Sequence, residues 1–201
     1  VKFDYGVGTN NSTPSQYKAV GDTFTIPENN PATPGYQFRG WFNAPTNGVE
    51  YTSKTVTLDK AENCVVHATW EANKYKFFYT LNGVDTHIVV TYDQPYSIPV
   101  PQRDSDDAFF GGWWSEENGQ GIQYTNNLGE SVGVWKFTND QTAKACEVEL
   151  YEYVEVVSVT TGKPGYSVKA GADIGKVTQI TIPAMYNGLP VIGIEQMGFA
   201  N

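Results

Sequence analysis

The chain has 201 residues, 40% of them hydrophobic, 14% aromatic and 17% charged, with a formal net charge of −9. That is enough apolar material for a sizeable core, and the length points to two or three domains. The acidic balance excludes a nucleic-acid footprint, because the nearest approach to a basic stripe, Lys163, Lys169 and Lys176, is scattered over turns.

Cys64 and Cys146 are too few for a disulfide scaffold. No apolar run approaches the roughly 18 residues that span a membrane. Residue 1 is Val rather than Met, so the chain reads as a piece of a longer protein, with signal and anchor expected outside it.

In chain order the pieces read as short β-strands. "VKFDY" opens the chain, and "DTFTIP" alternates into Pro27. "FRGWF" is short and aromatic, "NGVEYT" starts on an Asn-Gly turn, and "CVVHATW" places Cys64, Val66 and Ala68 on one side. "YKFFYTLNG" and "DTHIVVTY" then read as strands across a second Asn-Gly turn. Residues 13–20, "TPSQYKAV", carry weak helix signals at Thr13 and Pro14. Their counterpart "DTHIVVTY" is strand-like, so a strand is expected in both places.

The same pieces recur. Ile26-Pro27 returns as Ile98-Pro99, and Phe38, Gly40 and Trp41 return as Phe110, Gly112 and Trp113, each 72 residues on (98 − 26). "NGVEYT" answers "QGIQYT" one residue further. Cys64 is aligned with Cys146, which implies about nine residues gained between Leu128 and Thr142, in a stretch that carries Trp135. The expected division is 1–73, 74–154 and 155–201, with no flexible linker between the two copies. In the last stretch "YSVKAG", "VTQITIP" and "LPVIGIEQMGFAN" form strand-like pieces. They end on an apolar ladder with an open edge, so the protein is expected to continue.

Chemistry is sparse. His67 sits in the closing strand of copy one, where copy two has Glu149, so a lone histidine in one of two equivalent slots does not read as a catalytic base. A Cys–His nucleophile would need Cys64, Cys146, His67 or His87 to meet in one cleft. Asp104, Asp106 and Asp107 could serve calcium, yet the run lacks the glycine and late glutamate of a calcium loop and reads as a solvated turn. Neither metal nor cofactor is expected, and no enzyme activity.

The aromatics are the remaining candidates. By strict alternation Phe38, Gly40 and Phe42, and likewise Phe110, Gly112 and Trp114, share a packed face with a ring over the bare glycine. Trp41 and Trp113 fall on the other face, either covered by a loop or open to a ligand. A residue kept between two diverged copies is more simply part of the shared fold. The open alternative is a sugar-stacking site of Trp113 and Trp114 with Glu116 and Asn118 behind them.

"Ile-Pro…Gly-Tyr-x-Phe-x-Gly-Trp" with a closing "His-Ala-x-Trp" resembles the Listeria–Bacteroides repeat, related to the B-repeat of internalins. Ile26, Pro27, Gly35, Tyr36, Phe38, Gly40, Trp41, Ala68 and Trp70 match it. Copy two has Asp107-Ala108 for the Gly-Tyr pair, and Tyr151 or Tyr153 for the closing tryptophan. "ITIPAMYNGLPVIGIEQMGFAN" is similar to the entry of a BspA-type leucine-rich repeat through Ile180, Ile182, Pro183, Val191, Ile194 and Phe199. These resemblances imply a mainly β chain: two tandem β-grasp-like modules and a β-rich unit that begins a leucine-rich solenoid. They also imply a secreted or cell-surface stalk for adhesion to a host or matrix protein or glycan. The runner-up is a carbohydrate-binding module that uses a tryptophan on its β-surface.

Overall fold

The computed structural model describes residues 1–7, 13–28, 31–60, 64–102, 109–177, 180–195 and 199. The described residues are mainly β, with only two short 3-10 turns, at Glu117–Gly119 and Ile174–Lys176. They cluster into two compact units. The first takes Val1–Lys74, Thr91–Asp93 and Lys136–Thr138, and the second takes Tyr75–Val90, Gln94–Trp135 and the chain from Asn139 onward. Asp104–Asp107, the acidic run weighed for calcium, lies outside the described residues.

The first unit contains β1 (Lys2–Asp4), β2 (Thr23–Thr25), β3 (Tyr36–Phe42), β4 (Thr55–Thr57) and β5 (Val65–Ala72). Its sheet has the order β1-β5-β3, with β1 parallel and β3 antiparallel to β5, while β2 and β4 form a separate antiparallel pair. The expected alternation of β5 holds, since Val66 and Ala68 are buried beside Phe3, Phe24, Ile26 and Trp41. Residues 13–19 form neither strand nor helix, so the strand expected at 13–20 is absent from the first copy. Pro14 removes a backbone donor there, and Tyr17 is fully exposed, so the segment has no buried face to hold it in a sheet.

The second unit opens with β6 (Lys74–Leu81) and β7 (Val84–Thr91), apart from their end residues Lys74 and Thr91, joined by Asn82-Gly83, both with positive φ as a tight hairpin turn requires. Here the expected strand over "DTHIVVTY" is present. β8 (Phe109–Trp114), β9 (Gln141–Thr142) and β10 (Lys144–Val148) follow. β6 pairs with β7 and runs parallel to β9, and β10 pairs antiparallel with β8. Phe77 lies at the centre, with Tyr96, Tyr124 and Trp135 edge-on to it at 5.5, 4.8 and 4.9 Å. The Tyr96 hydroxyl, pushed up to about 12 by burial, donates to the Tyr124 carbonyl 3.1 Å away.

The rest of the second unit is one sheet of β11 (Tyr151–Val157), β12 (Pro164–Ala170), β13 (Met185–Tyr186) and β14 (Leu189–Ile194), in the order β11-β12-β14-β13. β12 is antiparallel to β11 and parallel to β14. Cys146, Val148 and Leu150 share one buried cluster with Tyr151 and Val168, against which Val191 and Phe199 pack. Ile180 to Pro183, read as a strand, carry none in the structure, and Ile180 is exposed.

The two copies share a hydrogen-bond frame. Ile26 N–H donates to Lys54 O at 2.8 Å, as Ile98 does to Gly129 O at 2.9 Å. Tyr51 N–H donates to Trp41 O as Tyr124 does to Trp113 O, both at 2.8 Å. Leu58 N–H donates to Asp22 O, and Trp135 N–H donates to Gln94 O in the same way. Trp135 therefore stands in the slot of Leu58 and is not an extra residue of an insertion. The offset grows in small steps, from 72 at Trp41 and Trp113 (113 − 41) to 77 at Ala68 and Ala145 (145 − 68), the residues those tryptophans pair with. The nine-residue gain inferred from aligning the cysteines is thus too large. Cys146 lies in the slot of Thr69, not of Cys64, and Glu147, not Tyr151 or Tyr153, takes the place of Trp70.

Candidate functional site at the duplicated aromatic strand

The duplicated strand is bulged in both copies. In the first, Arg39 and Gly40 stand against Thr69 alone, and in the second Gly111 and Gly112 stand against Cys146 alone. The extra residue needs a backbone that only glycine adopts without strain, and φ is +135° at Gly40 and +107° at Gly112. A bulge resets the alternation of faces. Phe38 and Trp41, which alternation separates, meet edge-on at 5.7 Å, and Phe110 and Trp113 do the same at 5.5 Å.

Trp113 is consequently 0% exposed. Its ring packs edge-on against Tyr79 at 5.3 Å, and its indole N–H donates to Pro99 O at 3.1 Å. The backbone is locked as well: Trp113 N–H donates to the buried Thr125 hydroxyl at 3.0 Å, and Thr125 N–H returns to Trp113 O at 3.3 Å. A ring with no exposed face offers a sugar nothing to stack on, which corrects the open reading of Trp113. Trp41 is 4% exposed in the equivalent slot, and its buried indole N–H finds no partner among the described residues.

Trp114 differs. It is half-buried against the Cys146–Val168 cluster, and its indole N–H reaches Gly111 O at 3.3 Å. Behind it, residues 115–122 form a short loop closed by Ser115 N–H to Ile122 O at 2.9 Å, the counterpart of Asn43 N–H to Val49 O in copy one. Glu116 and Asn118 are exposed on that loop, with Asn118 at φ +58°, and Glu117 lies 3.4 Å from the Lys144 ammonium. Of the expected sugar-stacking set, Trp114, Glu116 and Asn118 share one surface segment and Trp113 belongs to the core. A cavity of about 270 Å³ opens beside Phe109 and Phe110 of this strand, lined also by Val100, Asn127, Leu128, Leu150, Ile180 and Thr181.

The titratable residues have separate surroundings. His67 Nδ1 lies 3.1 Å from Asp4 Oδ2, and the Gly6 amide, followed by His67, holds the Asp4 carboxyl below its ordinary value. His87 tilts over Phe78 at 5.5 Å. Burial raises the Tyr51 hydroxyl, and the neighbouring Cys64 thiol adds to the rise. Among the described residues no three His, Cys, Asp or Glu converge as metal ligands. The two thiols should differ in reactivity. Cys146 is 1% exposed under Gly111 and Gly119, whereas Cys64 is half-buried. Mass spectrometry after native alkylation should find Cys64 modified and Cys146 untouched until denaturant is added. Equal modification of both in the folded chain would contradict this packing.

The first copy is similar to a known repeat family. Residues 1–68 match the Listeria-Bacteroides repeat domain. The match covers the bulged strand, Trp41 and the parallel β1–β5 pairing. The chain is also 30% identical over 89 residues to Internalin H of Listeria monocytogenes serovar 1/2a. That overlap covers 44% of this chain but only 16% of Internalin H, so the chain spans a small part of its relative's length. No solved structure matches the chain significantly. Among the described residues no helix is long and apolar enough to cross a membrane.

Proposed function

We propose that this chain is a non-enzymatic repeat region of a bacterial cell-surface or secreted protein. Its tandem β-modules serve as a spacer that presents an adhesive array to a host or matrix protein or glycan. The observation that carries the reading is the Listeria-Bacteroides repeat at residues 1–68, with its hydrogen-bond frame repeated around Trp113. A frame kept in both copies that buries its aromatics inward suits a module built for stacking in series. The parallel β6–β9 pair, with β7 on the other edge of β6, supports a β-grasp-like reading of the module. The parallel pairing of β12 with β14, the strand that follows "ITIP", supports the start of a leucine-rich solenoid. Antibodies raised against residues 1–201 should label intact producing cells, or the medium around them. A signal that appears only after lysis would overturn the reading.

The second reading, a carbohydrate-binding surface, now rests on Trp114 with Glu116 and Asn118, because that ring alone of the pair keeps an exposed part. Titration of the full chain with a glycan panel would show saturable quenching that Trp114→Ala abolishes. A flat response across the panel removes this reading and leaves the first intact.

A further inference from the structure

The first compact unit contains a lock made of six residues that are far apart in sequence: Gly35, Tyr36, Asn73, Tyr92, Asp93 and Lys136. Gly35 has no side chain, and the Tyr92 ring occupies the space one would fill: a Cβ at Gly35 would lie 2.3 Å from ring atoms Cδ2 and Cγ. Tyr36 meets Tyr92 edge-on at 5.4 Å, and its hydroxyl donates to Asp93 Oδ2 at 2.8 Å. The Lys136 ammonium pairs with the other oxygen of the same carboxylate and lies 5.5 Å from the Tyr92 ring centroid. Asn73 closes the circuit, with its N–H donating to Gly35 O at 2.8 Å and its carbonyl accepting from Tyr92 N–H at 2.9 Å.

The duplication shows that the two halves of this lock are not interchangeable. Seventy-two residues beyond Gly35-Tyr36 the sequence has Asp107-Ala108, with neither the bare backbone nor the phenol (107 − 35 = 72). Seventy-two residues before Tyr92-Asp93 it has Val20-Gly21, and Val20 is 55% exposed. The residue after Leu58, in the slot of Lys136 after Trp135, is Asp59. The residue types that build the socket stand only in the first copy's sequence, and those that fill it only in the second's.

We propose that Gly35, Tyr36 and Asn73 form a binding site on the Listeria-Bacteroides repeat for a Tyr-Asp turn backed by a lysine, filled here by Tyr92-Asp93 and Lys136 of the following copy. It is independent of where the protein resides.

A double-mutant cycle in the full chain tests this, with Tyr36→Phe, Asp93→Asn and the pair, read by hydrogen exchange of the Tyr92 and Asn73 amides. Each single variant should speed exchange at these two amides about tenfold, and the pair should be no faster than either single. Multiplying effects, or no change at Tyr92 and Asn73, would overturn the proposal. Lys136, and next Tyr36, hold the Asp93 carboxyl below its ordinary 3.8, so the lock is set above that value and lost as pH falls through the depressed one. The wild-type Tyr92 amide should therefore lose protection in that range, whereas Asp93→Asn should show no such step. A step of equal size in both proteins would also overturn the assignment.

Discussion

Replacing Gly112 by alanine should destabilise the second unit far more than the matched Gly40→Ala destabilises the first. Both glycines sit in the bulge at positive φ, so each alanine stores about 1–3 kcal/mol of backbone strain. What the new Cβ meets then differs. At Gly112 it would lie 2.3 Å from the Thr125 carbonyl oxygen, a backbone atom held in place because Thr125 is tied to Trp113 through both its N–H and its hydroxyl. That oxygen cannot swing aside, and overpacking adds about 1–3 kcal/mol. At Gly40 the Cβ would meet Glu50 Oε1 at 2.6 Å, the far end of a flexible side chain that can rotate into solvent. Denaturant titrations of the two variants should show a clear gap in midpoint. Equal losses would mean that the Thr125 carbonyl moves freely.

Trp113→Ala should cost about 3–5 kcal/mol, the range for deleting a fully buried large aromatic side chain. Trp113→Phe should recover most of the packing against Tyr79 and Phe110 but leave the Pro99 carbonyl without its indole donor. Trp114→Ala should be milder, because that ring is half-buried and its own N–H bond is local, to Gly111. The ranking Trp113→Ala, then Trp113→Phe, then Trp114→Ala, measured by equilibrium unfolding, separates a core tryptophan from a surface one. A near-neutral Trp113→Ala would contradict the buried position.

The duplication was legible because Ile-Pro and Phe-x-Gly-Trp are rigid punctuation: proline ends a strand and the bulge demands its glycine, so both persist at one spacing. The buried side of "CVVHATW" was legible because β5 has no bulge, and Val66 and Ala68 keep strict alternation. The same rule failed one strand away. It assigned Phe38 and Trp41 to opposite faces, and a single extra residue at Arg39-Gly40 brings them together. Nothing in the pattern of apolar residues reports a positive φ, although a glycine before a tryptophan in both copies is its trace. The slots of Cys146 and Trp135 were misread for a related reason. Their neighbours drift by one or two residues at each loop, and only backbone hydrogen bonds such as Trp135 N–H to Gln94 O fix the equivalence. The lock at Gly35 was illegible because its partners lie 57 and 101 residues away from Gly35 (92 − 35 and 136 − 35), with no local pattern linking them.

On this reading the aromatic strand of each copy is the inner face of a repeated scaffold rather than a ligand platform. The indole N–H of Trp113 reports on this burial. In the full chain it should exchange with deuterium only as the second unit unfolds, since it is buried and bonded to Pro99 O, and no added glycan should change its rate. Exchange on the timescale of an exposed indole, or protection that appears only when a glycan is added, would contradict the account.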